Sequence, residues 1–192
     1  MRFTKIPTDT FEKLQLNAGM VLTSFNPETP TIENSAILGA TTGGLTFTAT
    51  ANYSDMGDDI DNCPKNMKEL KKLESWEVTL SGTLLTVDAA TTKRLMAAAD
   101  IATGNKKIVP RNDLSQSDFG DIWLVGDYSD VNSETNGGFF AIHIMNALST
   151  GGFQLRTQDL EKGQFAFVFT GHYSMSAQDT VPYEIYVSAG TT

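Results

Sequence analysis

Gly44-Leu45-Thr46-Phe47-Thr48-Ala49-Thr50-Ala51 and, further on, Ser75-Trp76-Glu77-Val78-Thr79-Leu80-Ser81-Gly82-Thr83-Leu84 decide how this chain folds. In the first run the odd positions are apolar and the even ones are Thr or Gly; in the second, Trp76, Val78 and Leu80 alternate with Glu77, Thr79 and Ser81. Side chains on a strand point alternately to its two faces, so both runs read as strands with one buried and one wet face. Between them lies a charged stretch, residues 52–74, broken by Gly57 and Pro64. Connections in compact domains run to about 4–6 residues, and one beyond roughly 12–15 is either disordered or present for a purpose. Fully extended, this one reaches roughly 75 Å, or half that out and back. A domain of this size has a radius of gyration near ~16 Å, so the excursion is long enough to touch a neighbouring molecule.

The charge reverses along that excursion. Asp55, Asp58, Asp59 and Asp61 come first, then Lys65, Lys68, Lys71 and Lys72 with Glu69 among them. A segment with a negative head and a positive tail can pair with an identical copy. The same charges also suit a solvated loop, since exposed ion pairs contribute only about 0–1 kcal/mol each. Pro64 to Leu73 is expected to form a short helix, with Pro64 at its first position and Met67, Leu70 and Leu73 along one side.

Elsewhere the pattern is mostly that of strands. Gly19 to Phe25 reads as a strand ended by Asn26-Pro27-Glu28-Thr29-Pro30, and residues 1–16 before it form an arm or first edge strand, with Phe3 and Phe11 among its scattered apolar positions. Asp88 is placed to cap a helix of about 15 residues; Ala89, Ala90 and Ala97 to Ala99 favour it, Leu95, Met96, Ala99 and Ala102 form its apolar stripe, and Gly104 suits its C-terminal stop. Ile122–Val125, Phe139–Met145, Phe153–Arg156, Phe165–Phe169 and Tyr183–Val187 follow as strands. Turn clusters such as Asn136-Gly137-Gly138 separate them. Phe165, Phe167 and Phe169 mark a core face, whereas Gln164, Ala166, Val168 and Thr170 opposite fit contact with another protein surface. The expected class is mainly β with one flanking α-helix, two packed β-sheets arranged as a sandwich or partly closed barrel. No linker or repeat divides the 192 residues, so a single domain 1–192 is expected, with a C-terminal strand and arm at 176–192.

Composition narrows the function. The net charge of −9 argues against a grip on nucleic acid, which needs a basic stripe to neutralise phosphates. Cys63 is alone, so neither an intramolecular disulfide nor a common zinc framework forms, and it reads as a free thiol. The N-terminus lacks the apolar core of a signal peptide, and no stretch approaches the length of a membrane span, so synthesis in a reducing cytoplasm is expected. Phosphate-cradling, zinc-protease and serine-hydrolase motifs are missing. Gly39-Ala40-Thr41-Thr42-Gly43-Gly44 precedes a strand and reads as a turn. The aspartates at 55, 58, 59 and 61 are hard oxygen donors but lack the spacing of a calcium loop. His143 and His172 fall in expected strands as core or interface residues, with no nucleophile beside them in the pattern. No catalytic residue, metal or cofactor is therefore assigned.

Three stretches carry a resemblance. Leu38-Gly39-Ala40-Thr41-Thr42-Gly43-Gly44-Leu45-Thr46-Phe47, then Asp58-Asp59-Ile60-Asp61-Asn62-Cys63-Pro64-Lys65-Asn66 with Lys68-Glu69-Leu70-Lys71-Lys72, then Trp76-Glu77 and the helix ending Ala97-Ala98-Ala99-Asp100, resemble the major tail proteins of long-tailed bacteriophages. The likeness runs from about residue 15 to 110. It implies two packed β-sheets with a flanking helix, six-membered rings, and rings stacked into the tube through which the genome leaves. It further implies that Asp55 to Leu73 contacts the next ring and that the strands beside it join those of neighbours in an inner barrel. On that basis Thr46, Thr48, Thr50, Ser75, Glu77, Thr79 and Ser81 face the lumen, past which DNA slides without being bound. The implied partners are further copies of the chain and the tail terminator, tape-measure and distal tail proteins. The implied location is the virion tail, after synthesis in the bacterial host's cytoplasm. A different reading, a monomeric β-sandwich module binding carbohydrate, would use Trp76, Trp123 and the tyrosines as stacking surfaces; period-two placement, however, buries Trp76 beside Val78 and Leu80.

Overall fold

The computed structural model describes residues 5–10, 13–104, 106–128 and 137–189. Parts of three expected features lie outside them: residues 1–4, 11 and 12 of the N-terminal arm, Asn136 of the turn cluster, and 190–192 of the C-terminal arm. Along the chain run β1 (Gln15–Leu22), β2 (Thr41–Asp55), β3 (Lys71–Leu84), α1 (Ala89–Leu95), β4 (Ala99–Ile101), β5 (Ile108–Pro110) and β6 (Gly120–Tyr128). β7 (Phe139–Ser149), β8 (Gln154–Arg156), β9 (Gln164–Gly171) and β10 (Tyr183–Ser188) complete it. The fold is mainly β with one helix, as expected.

Its two layers belong to one continuous sheet. The hydrogen-bonded order is β1-β6-β7-β9-β3-β2, with β10 added to β7 and β8 to β9; β4 and β5 form a separate small hairpin. β7 turns the corner: Phe139 to Ala147 pair with β6 and β10, whereas Leu148 and Ser149 pair with β9. One layer is therefore β1-β6-β7-β10 and the other β2-β3-β9-β8, and no ladder among the described residues joins β1 to β2 to close a barrel.

The core fills the space between the layers. Val78, Leu80 and Leu84 of β3 and Phe167 and Phe169 of β9 meet Ile122 and Leu124 of β6, Ile142 and Ile144 of β7, and Val21 of β1. Each such side chain contributes about 1.5–3 kcal/mol by leaving water. Gly82 lies on the inward face, and a Cβ there would stand 2.6 Å from Leu45 Cδ2 and 3.0 Å from Phe167 Cζ, so a larger residue would force these side chains to shift.

Several local expectations are corrected. β1 starts earlier and stops earlier than Gly19 to Phe25, and between Leu16 and Met20 its register with β6 shifts, with Asn17 and Gly19 at positive φ. Gly43 and Gly44, read as part of a turn, sit inside β2 at positive φ, where the register with β3 shifts between Thr42 and Leu45. The helix is half the expected length. Asp88 does cap it, its Oδ1 accepting the Thr91 N–H at 2.6 Å, but α1 ends at Leu95 and Ala97 takes φ 61°. The chain then turns into β4, where Ala99 is fully buried. Tertiary packing overrides alanine's helix preference here: the Arg111 N–H donates to Ala98 O at 2.9 Å, and Gly104 serves the β4–β5 turn. The helix closes one end of the layers, with Thr91 Oγ1 donating to Leu38 O and Ser149 Oγ to Leu95 O.

Candidate functional site

The antiparallel register brings all seven candidate lumen residues onto one outward face. Thr46 stands opposite Ser81, Thr48 opposite Thr79, Thr50 opposite Glu77, and Asn52 opposite Ser75. Thr46, Thr48, Thr50 and Glu77 are exposed; Ser75, Thr79 and Ser81 are half-buried. β9 extends the face, with Thr170 opposite Thr79 and Val168 opposite Ser81, and the Thr170 hydroxyl meets that of Thr150 at 2.7 Å. The result is a surface of hydroxyls with one carboxylate, Glu77, and no Lys or Arg at these positions. β2 forms its border. Among the described residues β2 pairs with β3 alone, and from Leu45 to Ser54 it carries no Pro, Lys or other charge.

Beyond that face the hairpin continues further than sequence periodicity indicates. The ladder runs on through Tyr53↔Leu73 and Ser54↔Lys72 to Asp55↔Lys71, so the connection is residues 56–70 instead of 52–74. Of the ten residues assigned to the contact loop, Asp55, Lys71 and Lys72 lie on strands; Asp58, Asp59, Asp61, Lys65, Lys68, Glu69 and Leu70 lie in the connection. The expected helix at Pro64 to Leu73 does not form. Only a 3-10 turn at Lys68–Leu70 is helical, because Leu70 turns inward against Gly57 and Cys63 while Lys71 onward is held in the ladder.

The connection has its own hydrogen bonds. Met56 N–H donates to Leu70 O at 2.9 Å, Ile60 N–H to Gly57 O at 3.2 Å, and Cys63 N–H to Ile60 O at 3.2 Å. Asp55 Oδ1 accepts Gly57 N–H at 3.0 Å and Oδ2 accepts Asn66 N–H at 2.8 Å. These two bonds, Asn66 first, hold the Asp55 carboxyl below the usual aspartate range. The Ser54 hydroxyl and Lys72 do the same for Glu74. Outside, Tyr53 and Met56 are each 59% exposed and Ile60 52%, with Met67 and Leu73 also in contact with water. Around this apolar skin Lys65 lies 3.9 Å from Asp58, Lys68 3.4 Å from Glu69, and Lys71 sits over the Tyr53 ring.

A second polar cluster was not legible in the sequence. On the outer face of the other layer, His143 Nε2 lies 3.0 Å from Asp121 Oδ2, Trp123 stacks flat on the imidazole at 4.0 Å, and Tyr186 donates to Glu184 Oε2 at 2.5 Å. That bond raises the Tyr186 hydroxyl above its ordinary value. The register Glu184↔His143↔Trp123 assembles it from three distant strands, and no Ser, Cys or Thr nucleophile faces the imidazole in these contacts. His172 lies just past β9, edge-on to Phe119. Trp123 is only 7% exposed, whereas Trp76 is half-buried in a T-shaped contact with Tyr183.

Among the described residues no group of three His, Cys, Asp or Glu side chains is placed to hold a metal ion, and no helix is long and apolar enough to cross a membrane. No protein-family model matches the chain, and no curated protein matches it. Among the described residues the geometry defines a β scaffold whose border strand is paired on one side only and carries no charge from Leu45 to Ser54, a hydroxyl face with one carboxylate, and a projecting, partly apolar hairpin.

Proposed function

We propose that the chain is a structural subunit of a viral tail tube, assembling into rings, six-membered by the resemblance, that stack into a hollow conduit for DNA. The observation that carries this reading is the border strand β2. Natural edge strands are kept short or blunted by Lys, Pro or bulges, because an open row of N–H and C=O groups recruits another strand. β2 is 15 residues long, and its run from Leu45 to Asn52, between two shifts of register with β3, carries no Lys, Pro or bulge. A neighbour's strand would satisfy it, and one such head-to-tail contact, repeated, gives a ring.

The face beside that edge supports a bore. Hydroxyls and Glu77 offer phosphates no fixed cation, and like charge acts over a Debye length of about 8 Å at physiological salt. DNA would slide without sticking. The hairpin supports stacking, since its tip carries exposed apolar side chains within a charge pattern that reverses from Asp58–Asp61 to Lys65–Lys72. Further copies, with the tail terminator, tape-measure and distal tail proteins, are the partners of this reading. The virion tail is its location, following synthesis in the bacterial cytoplasm.

Replacing residues 56–70 by an Asn-Gly turn between Asp55 and Lys71 tests the stacking role. The shortened chain is expected to fold cooperatively and to form no tubes; normal tubes from it would refute the role.

A further inference from the structure

The hairpin tip is a loop that one side chain appears twice in: Asp55, the last residue of β2, reaches both limbs of residues 56–70. Its Oδ1 accepts the N–H of Gly57 on the outgoing limb at 3.0 Å, and its Oδ2 accepts the N–H of Asn66 on the returning limb at 2.8 Å. Asn66 is at φ 62°, a left-handed conformation that Asn tolerates, and its own Oδ1 accepts Lys71 Nζ at 3.1 Å. Beneath these bonds Gly57 is buried, and a Cβ there would stand 2.9 Å from Leu70 Cδ1 and 3.1 Å from Cys63 Sγ. The connection thus has a small interior of its own, closed by a carboxylate.

We propose that Asp55 is a charge-dependent latch that folds the 56–70 excursion before any partner arrives. Its value to assembly rests on reading the excursion as a contact surface. A segment already ordered loses less conformational freedom when it docks. Only the ionised carboxylate does the whole job, because it offers two acceptor oxygens where a protonated acid or an amide must turn a hydrogen toward one of the N–H groups. The charges facing it are Lys71 of β3 and Lys65 of the loop, both favouring the ionised form, and the Cys63 thiol lies nearby. The two N–H bonds depress the carboxyl's pKa in the closed loop, so the latch is complete above the open-loop value and is lost as pH falls through the lower closed value. It therefore stays shut at neutral and mildly acid pH and opens only below about pH 4.

Amide hydrogen exchange by NMR on the unassembled chain tests this, with rates corrected for intrinsic exchange and the buried Val78 and Leu80 amides as internal controls. Protection at Gly57 and Asn66 is expected to be on the order of tenfold greater in wild type than in Asp55→Asn at neutral pH, with the controls unchanged. Equal protection in both, or no protection in wild type, would overturn the latch. If the variant fails to fold, a wild-type pH series decides. Protection at Gly57 and Asn66 should hold at about pH 5 and decline in acid before that of the controls; protection at these two amides that tracks the controls through the whole series would overturn it. Tube formation is scored apart, so a latched chain that never assembles removes the contact role and leaves the latch standing.

Discussion

Thr48 of β2 stands directly opposite Thr79 of β3, at the middle of a face that continues through Thr170 of β9. Lysine at both Thr48 and Thr79 would place two cations where the account needs none. The face is exposed or half-buried, so the double variant should still fold, losing about 1 kcal/mol to repulsion between the directly opposed cations. Its assemblies should retain DNA in an electrophoretic or filter assay at low salt and release it as salt rises. Wild-type assemblies should retain none.

Phe169 is fully buried and its ring lies 5.3 Å from that of Phe167, where the two layers meet. Phe169→Ala leaves a cavity that rigid sheets on both sides cannot fill. Urea denaturation should show a loss of about 3–5 kcal/mol.

Asp88 caps α1, and the Thr91 N–H bond holds its carboxyl below the usual range. Asp88→Ala should cost about 1 kcal/mol at neutral pH. Because the folded pKa is depressed, this contribution is whole above the unfolded value of about 3.9 and fades as pH falls through the lower folded value. The stability difference between variant and wild type should shrink as pH falls below about 4.

Ala97 ends α1 at φ 61°, in a region that a Cβ makes costly and glycine does not. Ala97→Gly should raise stability by about 0.5–1 kcal/mol, shifting the melting temperature upward by about 2 °C.

The strands cores at Leu45–Ala51 and Trp76–Leu84 were legible because one face meets the core and the other meets water, a property each strand carries by itself. Asn52 to Asp55 and Lys71 to Glu74 were not, since they are largely wet on both faces and are held by cross-strand partners, Ser54 by Glu74 and Asp55 opposite Lys71. The alanine run departs from its sequence pattern for the opposite reason. Its local preference is helical, and pairing with Ile108–Pro110, the Arg111 N–H bond to Ala98 O and the burial of Ala99 turn it into a strand. Gly104 announced a positive-φ stop correctly, yet a helix end and a hairpin turn use the same conformation. The alternation that put Thr46, Thr48 and Thr50 on one face was visible, whereas Asp121, His143 and Glu184 meet only through strand register.

Negative-stain electron microscopy of the concentrated 192-residue chain, with and without a nucleating tail-tip partner, decides whether it polymerises. Rings with a central hole that stack into hollow tubes are expected. A field of separate globules under every such condition would contradict that assembly.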